Sequence, residues 1–133
     1  MSVIEKKILL EGSKGKKEIL TLFDSGATYS CIQKDLARKL ANLEPLPQVM
    51  IFSTAGKEKL KVKYAIRLDF YINSDRFSDE FMVIDGLSEK IIIGAATLQK
   101  WRMKLDFEND EIIYDPKVTK LRIIRLRRTK KND

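Results

Sequence analysis

The sequence predicts a single all-β domain carrying one or two short helices, and three observations lead there. Residues 60–72 alternate strictly: Leu60, Val62, Tyr64, Ile66, Leu68, Phe70 and Ile72 are apolar, and Lys61, Lys63, Ala65, Arg67, Asp69 and Tyr71 stand between them. Period two over that length is the signature of a strand with one face buried. Two further apolar runs, residues 3–10 and 17–23, flank "GSKGK" and read as a hairpin. Helical spacing is confined to brief stretches. The chain has 133 residues, 44% of them apolar, which suits one compact domain with a real core.

The remaining elements follow in chain order. Residues 29–32 form a short apolar strand. "QKDLARKLANL" (33–43) places Leu36, Ala37, Leu40 and Leu43 at helical spacing, and "EPLPQ" ends that helix. "MIFSTAGKEK" is an apolar strand running into a small, polar turn at Ser53–Lys57, so residues 49–72 read as a long hairpin with its tip near Ala55–Gly56. Typical strands run about 5–6 residues, so a strand as long as 60–72 must bend or project beyond its sheet. Residues 77–85 give another strand. "KIIIGAATLQKW" (90–101) is a buried strand that reaches Gly94 and turns into a short helix. "MKLDFENDEIIYD" (103–115) is a hairpin around Glu108–Asp110. A loose internal echo recurs: apolar strand, small-residue turn, helix, once around Asp24–Leu40 and again around Ile91–Trp101.

Absences narrow the chemistry. With no histidine, Ser-His-Asp and Cys-His catalysis and His-ligated metals fall away. The one cysteine, Cys31, sits in an apolar stretch and reads as a small core residue; it allows no intrachain disulfide. No phosphate-cradling glycine motif is present, no metal site is expected and no cofactor is implied. Carboxylates, lysines, tyrosines and hydroxyls are left for catalysis. No apolar run approaches the ~20 residues of a membrane span, the N-terminus lacks a signal-peptide pattern, and the expectation is a stand-alone cytoplasmic protein. The net charge of +7 is uneven. Residues 1–116 hold 18 basic and 18 acidic side chains; residues 117–133 hold eight basic and one acidic. The expected organisation is a neutral domain at 1–116 and a basic tail at 117–133, partly strand, which can contact nucleic acid or anionic surfaces or simply stay solvated.

"LTLFDSGATYSCI" (20–32) carries the candidate chemistry. An apolar strand runs into Asp24, followed by Ser25, Gly26, Ala27 and Thr28. A carboxylate placed between two buried stretches needs partners or must share its proton. A hairpin with a small-residue tip follows about 25 residues on, and an apolar triplet with Gly94 and a helix about 65 residues on. Motif, hairpin and apolar-Gly segment, in that order, resemble the retropepsin-like (retroviral-type) family of aspartic proteases, and "IIIGAATLQKWRMKLDFENDEIIYD" looks most like its stand-alone prokaryotic members. The resemblance covers roughly residues 17–115. It implies a closed β-barrel of the acid-protease fold with a flap hairpin, working as a homodimer on extended peptide or protein substrates.

The resemblance also assigns roles. Asp24 is the catalytic carboxylate, paired with the same residue of a second chain, because two carboxylates held close share one proton and activate a water between them. Gly26 allows the tight turn, Ser25 locks the two loops across the dimer axis, Ala27 leaves room for substrate, and Thr28 braces the loop beneath. Ser53, Thr54, Ala55, Gly56 and Lys57 form the flap tip. Ile93 and Gly94 support the active loop from behind. Tyr29 stands where retroviral enzymes carry an Asp, Ala96 where relatives carry Asp or Asn, and the flap has one glycine rather than a glycine-rich tip. Each feature also has a plainer reading: Asp24 as a turn residue, Gly94 as an ordinary strand-to-helix glycine, Lys57, Lys59, Lys61 and Lys63 as a solvated strand face. Two rival functions stay open at this point, a non-catalytic dimerisation or peptide-binding module of the same fold, and a nucleic-acid-associated protein acting through its tail.

Overall fold

The computed structural model describes residues 3–120 together with Arg125 and Arg127. Nine strands, two short helices and a terminal 3-10 turn fill that range. The strands are β1 (Val3–Gly12), β2 (Gly15–Asp24), β3 (Cys31–Gln33), β4 (Glu44–Ser53), β5 (Lys59–Ile72), β6 (Asp75–Ile84), β7 (Ile91–Ile93), β8 (Lys104–Asp106) and β9 (Glu111–Ile113). The helices are α1 (Lys34–Leu40) and α2 (Ala95–Lys100), and Pro116–Thr119 forms the 3-10 turn. The strand character expected within the tail falls on residues outside the described ones, apart from this turn.

Six strands close into a barrel. The order β1-β2-β7-β3-β6-β5 returns on itself because Leu9, Leu10 and Glu11 of β1 pair with Tyr71, Phe70 and Asp69 of β5. Closure removes the open edges that a sheet of this size would otherwise expose. Two pairings are parallel, β2 with β7 and β3 with β6; β7 is threaded between β2 and β3. The internal echo seen in the sequence is this arrangement: each half is a strand, a loop, a short strand and a helix.

β5 resolves its length by doing both things a long strand can do. Its Tyr64–Ile72 portion pairs with β6 inside the barrel, and its Lys59–Val62 portion projects with β4 as a hairpin, the one expected to be a flap. β4 begins at Glu44, earlier than expected, and takes both Pro45 and Pro47 into the strand. Proline lacks an amide donor, and β4 can hold two because it is the outermost strand with one side unpaired. The register slips between Pro45 and Met50.

α1 is shorter than the spacing of its leucines suggests. Ala41 is already extended, at φ −160°. The tight turn of the β1–β2 hairpin abuts the helix end: the Lys14 amide donates to the Leu40 carbonyl at 2.9 Å and the Lys14 ammonium to the Arg38 carbonyl at 3.0 Å. A side chain on Gly12 would collide with the Leu40 carbonyl, so this glycine sets how closely hairpin and helix pack.

The core has two parts. The barrel interior is filled by Phe23, Phe70, Phe77 and Phe81 with Leu10, Ile32, Leu68 and Ile93, all fully buried. A smaller cluster, Cys31, Val62, Ala65, Met82 and Ile84, lies at the end of the projecting β4–β5 hairpin and packs under Met50, Phe52, Leu60 and Leu87. Trp101 lies edge-on to Phe77 at 5.2 Å and donates its indole N–H to the Ser78 carbonyl, pinning the end of α2 to β6.

Candidate active site

Asp24 is the last residue of β2, where the strand leaves the barrel and the loop 25–30 begins. Its carboxylate is held locally. The Gly26 amide donates to Oδ1 at 2.8 Å, and the Ala27 amide donates to the Asp24 carbonyl at 3.2 Å. A Cβ on Gly26 would stand 3.1 Å from that same Oδ1, so only glycine gives the amide this approach without pushing on the carboxylate.

The loop is fastened from behind by the start of α2. Ala95 and Ala96 donate their amides to the carbonyls of Ala27 and Thr28 at 2.7 and 3.0 Å. Gly94 lies so close that a Cβ there would meet the Tyr29 oxygen at 2.6 Å and the Ala27 oxygen at 2.8 Å. The Gly94 amide donates to Ser30 Oγ at 3.0 Å, and Ser30 Oγ shares a 2.5 Å hydrogen bond with Thr97 Oγ1. Both hydroxyl residues are about 1% exposed. Ile93 is fully buried and pairs with Phe23 across the parallel β2–β7 contact, one residue before Asp24.

One reading changes here. Thr28, expected beneath the loop, is exposed on its surface, and Ser30 is the brace. Next to Ala96, Thr97 supplies the hydroxyl that pairs with Ser30. No local pattern joins this pair in the sequence, although each buried hydroxyl must find a partner.

The tip of the β4–β5 hairpin, expected to be a flap tip, is a turn held by Thr54. Its amide bonds the Glu58 carbonyl at 2.9 Å, its carbonyl accepts from Lys57, and its side-chain oxygen accepts from the Glu58 amide at 3.1 Å. Ser53 closes β4, Ala55 and Gly56 form the outermost turn, and the left-handed conformation falls on Lys57, at φ 67°, rather than on Gly56. Beneath this hairpin, the Tyr29 ring stacks on Phe52 at 5.6 Å, tying the hairpin to the loop that follows Asp24. Between them lies a cleft of about 520 Å³, lined by the loop residues Gly26–Tyr29, by Cys31 and by Met50–Ser53. No acidic or basic side chain lines it. Burial pushes the Cys31 thiol up to about 11, so it is a neutral wall residue and not a nucleophile.

Residues 10–97 match the family described as aspartyl protease. The chain belongs to the aspartyl protease family. Among solved structures, the retroviral protease-like domain of Ddi1 from Leishmania major superimposes with a TM-score of 0.64 at 17% identity, over 86% of this chain and 90% of that one. The simian foamy virus (mac) protease aligns with a TM-score of 0.46 at 18% identity, over 74% of this chain and 98% of that one. No curated protein sequence matches the chain. The fold of this aspartyl protease family member is thus retropepsin-like, with its Asp-Ser-Gly loop at the open end of the barrel and the hairpin above it. No helix among the described residues is long and apolar enough to cross a membrane.

Proposed function

We propose that this chain is an aspartic endopeptidase whose active site is completed by a second copy of itself. One observation carries the reading: Asp24 is held by the Gly26 amide where the loop Gly26–Tyr29 begins to line an uncharged cleft, and no other carboxylate is available from that lining. Amide hydrolysis without metal or covalent nucleophile needs two carboxylates sharing a proton, one to activate water and one to protonate the carbonyl. A two-fold axis through the loop supplies the second from the partner's identical loop.

The surface beside the loop supports this. Ser25 is exposed and its hydroxyl has no hydrogen-bond partner among the described residues, as suits a group that crosses to another chain. Adjoining it is an apolar groove formed by Ala95, Leu98, Met103 and Leu105, rimmed by Phe107, which is 50% exposed. A large aromatic left in water beside an incomplete site fits a subunit contact. The flap then closes over an extended peptide, adding main-chain hydrogen bonds. The apolar walls at Tyr29, Cys31, Met50 and Phe52 accept apolar side chains next to the scissile bond.

A peptide-library cleavage screen on wild type and Asp24→Asn tests the reading. The wild type is expected to cut internal bonds between apolar residues. The variant is expected to lose at least about a thousandfold in kcat/KM with its fold unchanged by circular dichroism. A variant that cuts as fast as wild type would show that Asp24 is not the catalytic carboxylate.

A further inference from the structure

On the outer face of the flap, away from the cleft, β5 carries Lys59, Lys61 and Lys63 at alternate positions. The two faces of the hairpin are fixed by its packing. Phe52 turns inward onto Tyr29, and Met50, Leu60 and Val62 turn inward onto the cluster beneath. The alternate residues therefore face outward. Ile51 pairs directly with Lys61, and Ser53 with Lys59; Ile51 and Ser53 both border the cleft, and strand alternation puts their side chains on the lysine face. Ile51 is 54% exposed and Val49, two residues earlier, 50%. Among the described residues none of the three lysines forms an ion pair. At the base of the stripe, Lys61 and Lys63 join Lys34 and Tyr64 around a notch of about 200 Å³, in which Asp85 is the single carboxylate.

We propose that this outer flap face is a docking surface for an extended, acidic segment of a partner protein. Charge and spacing both select that occupant. Lysines two residues apart on a strand recur about every 7 Å, the repeat at which alternate side chains of another extended chain recur. A segment with carboxylates at every second position meets the stripe in register, and one carboxylate can enter the three-lysine notch. Ile51 and Val49 then cover aliphatic side chains of the segment. Their aliphatic character favours a peptide over a single-stranded nucleic acid, for which a stacking surface of aromatic rings is the usual complement. β4, the outermost strand, also leaves one row of main-chain groups unpaired, which an extended segment can use. The surface does not depend on the cleavage chemistry and is separable from it.

Fluorescence anisotropy tests it in full-length protein carrying Asp24→Asn, so that nothing is cut and binding alone is read. The probe is a labelled peptide of about eight residues, matched to one arm of the hairpin, that alternates Glu with Val. Its control has Gln for every Glu. The Glu peptide is expected to bind, the Gln peptide to bind at least about tenfold more weakly, and Lys59→Gln/Lys61→Gln/Lys63→Gln to weaken the Glu peptide by a similar factor. These side chains are exposed, so the triple variant is expected to fold as wild type. Ile51→Ser gives a smaller loss. A tail variant, Arg127→Gln/Arg128→Gln/Lys130→Gln/Lys131→Gln, separates the stripe from the basic terminus and is expected to change binding less than about twofold. Equal binding by wild type and the stripe variant, or loss confined to the tail variant, overturns the proposal. So does a single-stranded oligonucleotide that the stripe holds more tightly than the peptide.

Discussion

At the residue scale, the loop that presents Asp24 depends on groups that carry no charge. Ser30 Oγ serves two partners, the Gly94 amide and the Thr97 hydroxyl, while Thr97 serves one. Ser30→Ala is therefore expected to cost about 1–3 kcal/mol and Thr97→Val less, as read from urea unfolding; equal costs would place the brace elsewhere. Cys31 offers a second test. Burial raises its thiol from an ordinary 9.0 to about 11, so the folded state keeps its proton where the unfolded chain has lost it. The unfolded chain then binds fewer protons, and stability falls as pH rises through that interval. Against Cys31→Ala, the wild type is expected to lose up to about 2 kcal/mol between pH 9 and pH 11, and to resist thiol reagents at pH 8 until denaturant is added. Rapid labelling of native protein at pH 8 would contradict the burial. Asp24 and its glycine were legible in the sequence because the motif is contiguous. The Ser30–Thr97 pair was not, since its halves lie 67 residues apart and only the threading of β7 joins them.

At the scale of elements, the contact between α2 and the active loop does the positioning. Gly94 is the point of closest approach, and its Cβ would press on two loop carbonyls that cannot retreat without moving Asp24. Gly94→Ala is expected to cost about 1–3 kcal/mol in stability and to lower kcat more than it raises KM, because the strain falls on the loop carrying the carboxylate rather than on the flap. Wild-type kcat in a folded Gly94→Ala protein would show that the loop tolerates displacement. The strand content was readable wherever one face is buried, and the period-two run marks β5, although its burial breaks phase where Tyr64 is exposed and Ala65 buried. β4 was cut short because Pro45 and Pro47 read as a break. Their tolerance depends on β4 being outermost, which local sequence does not encode. α1 was overextended for a similar reason: Leu43 continues the helical spacing, but the hairpin turn at Ser13–Lys14 occupies the helix end.

At the scale of the whole molecule, the barrel is closed by the β1–β5 pairing, and the proposed catalytic unit would be closed by a contact with a second copy of the chain. Neither leaves a local mark. Strands more than fifty residues apart pair without changing each other's periodicity, and a symmetric partner adds no residue to the sequence. The exposed Phe107 and the exposed Ser25 hydroxyl are the features on which the two-chain proposal rests. If half of each site comes from each chain, specific activity rises with protein concentration through the dimerisation range and is flat above it. A carboxylate pair active with one shared proton also loses rate at both ends of the pH range, and with no histidine in the chain neither limb can be an imidazole. The most direct measurement mixes the two chains. Asp24→Asn protein is titrated into a fixed amount of wild type, at concentrations that keep dimers assembled and long enough for subunits to exchange. A site needing both Asp24 carboxylates makes every mixed dimer inactive, so activity is expected to fall to about half at equal amounts and toward zero at large excess. Activity that stays constant across the titration would mean that each chain carries a complete site, and the two-chain active site would be wrong.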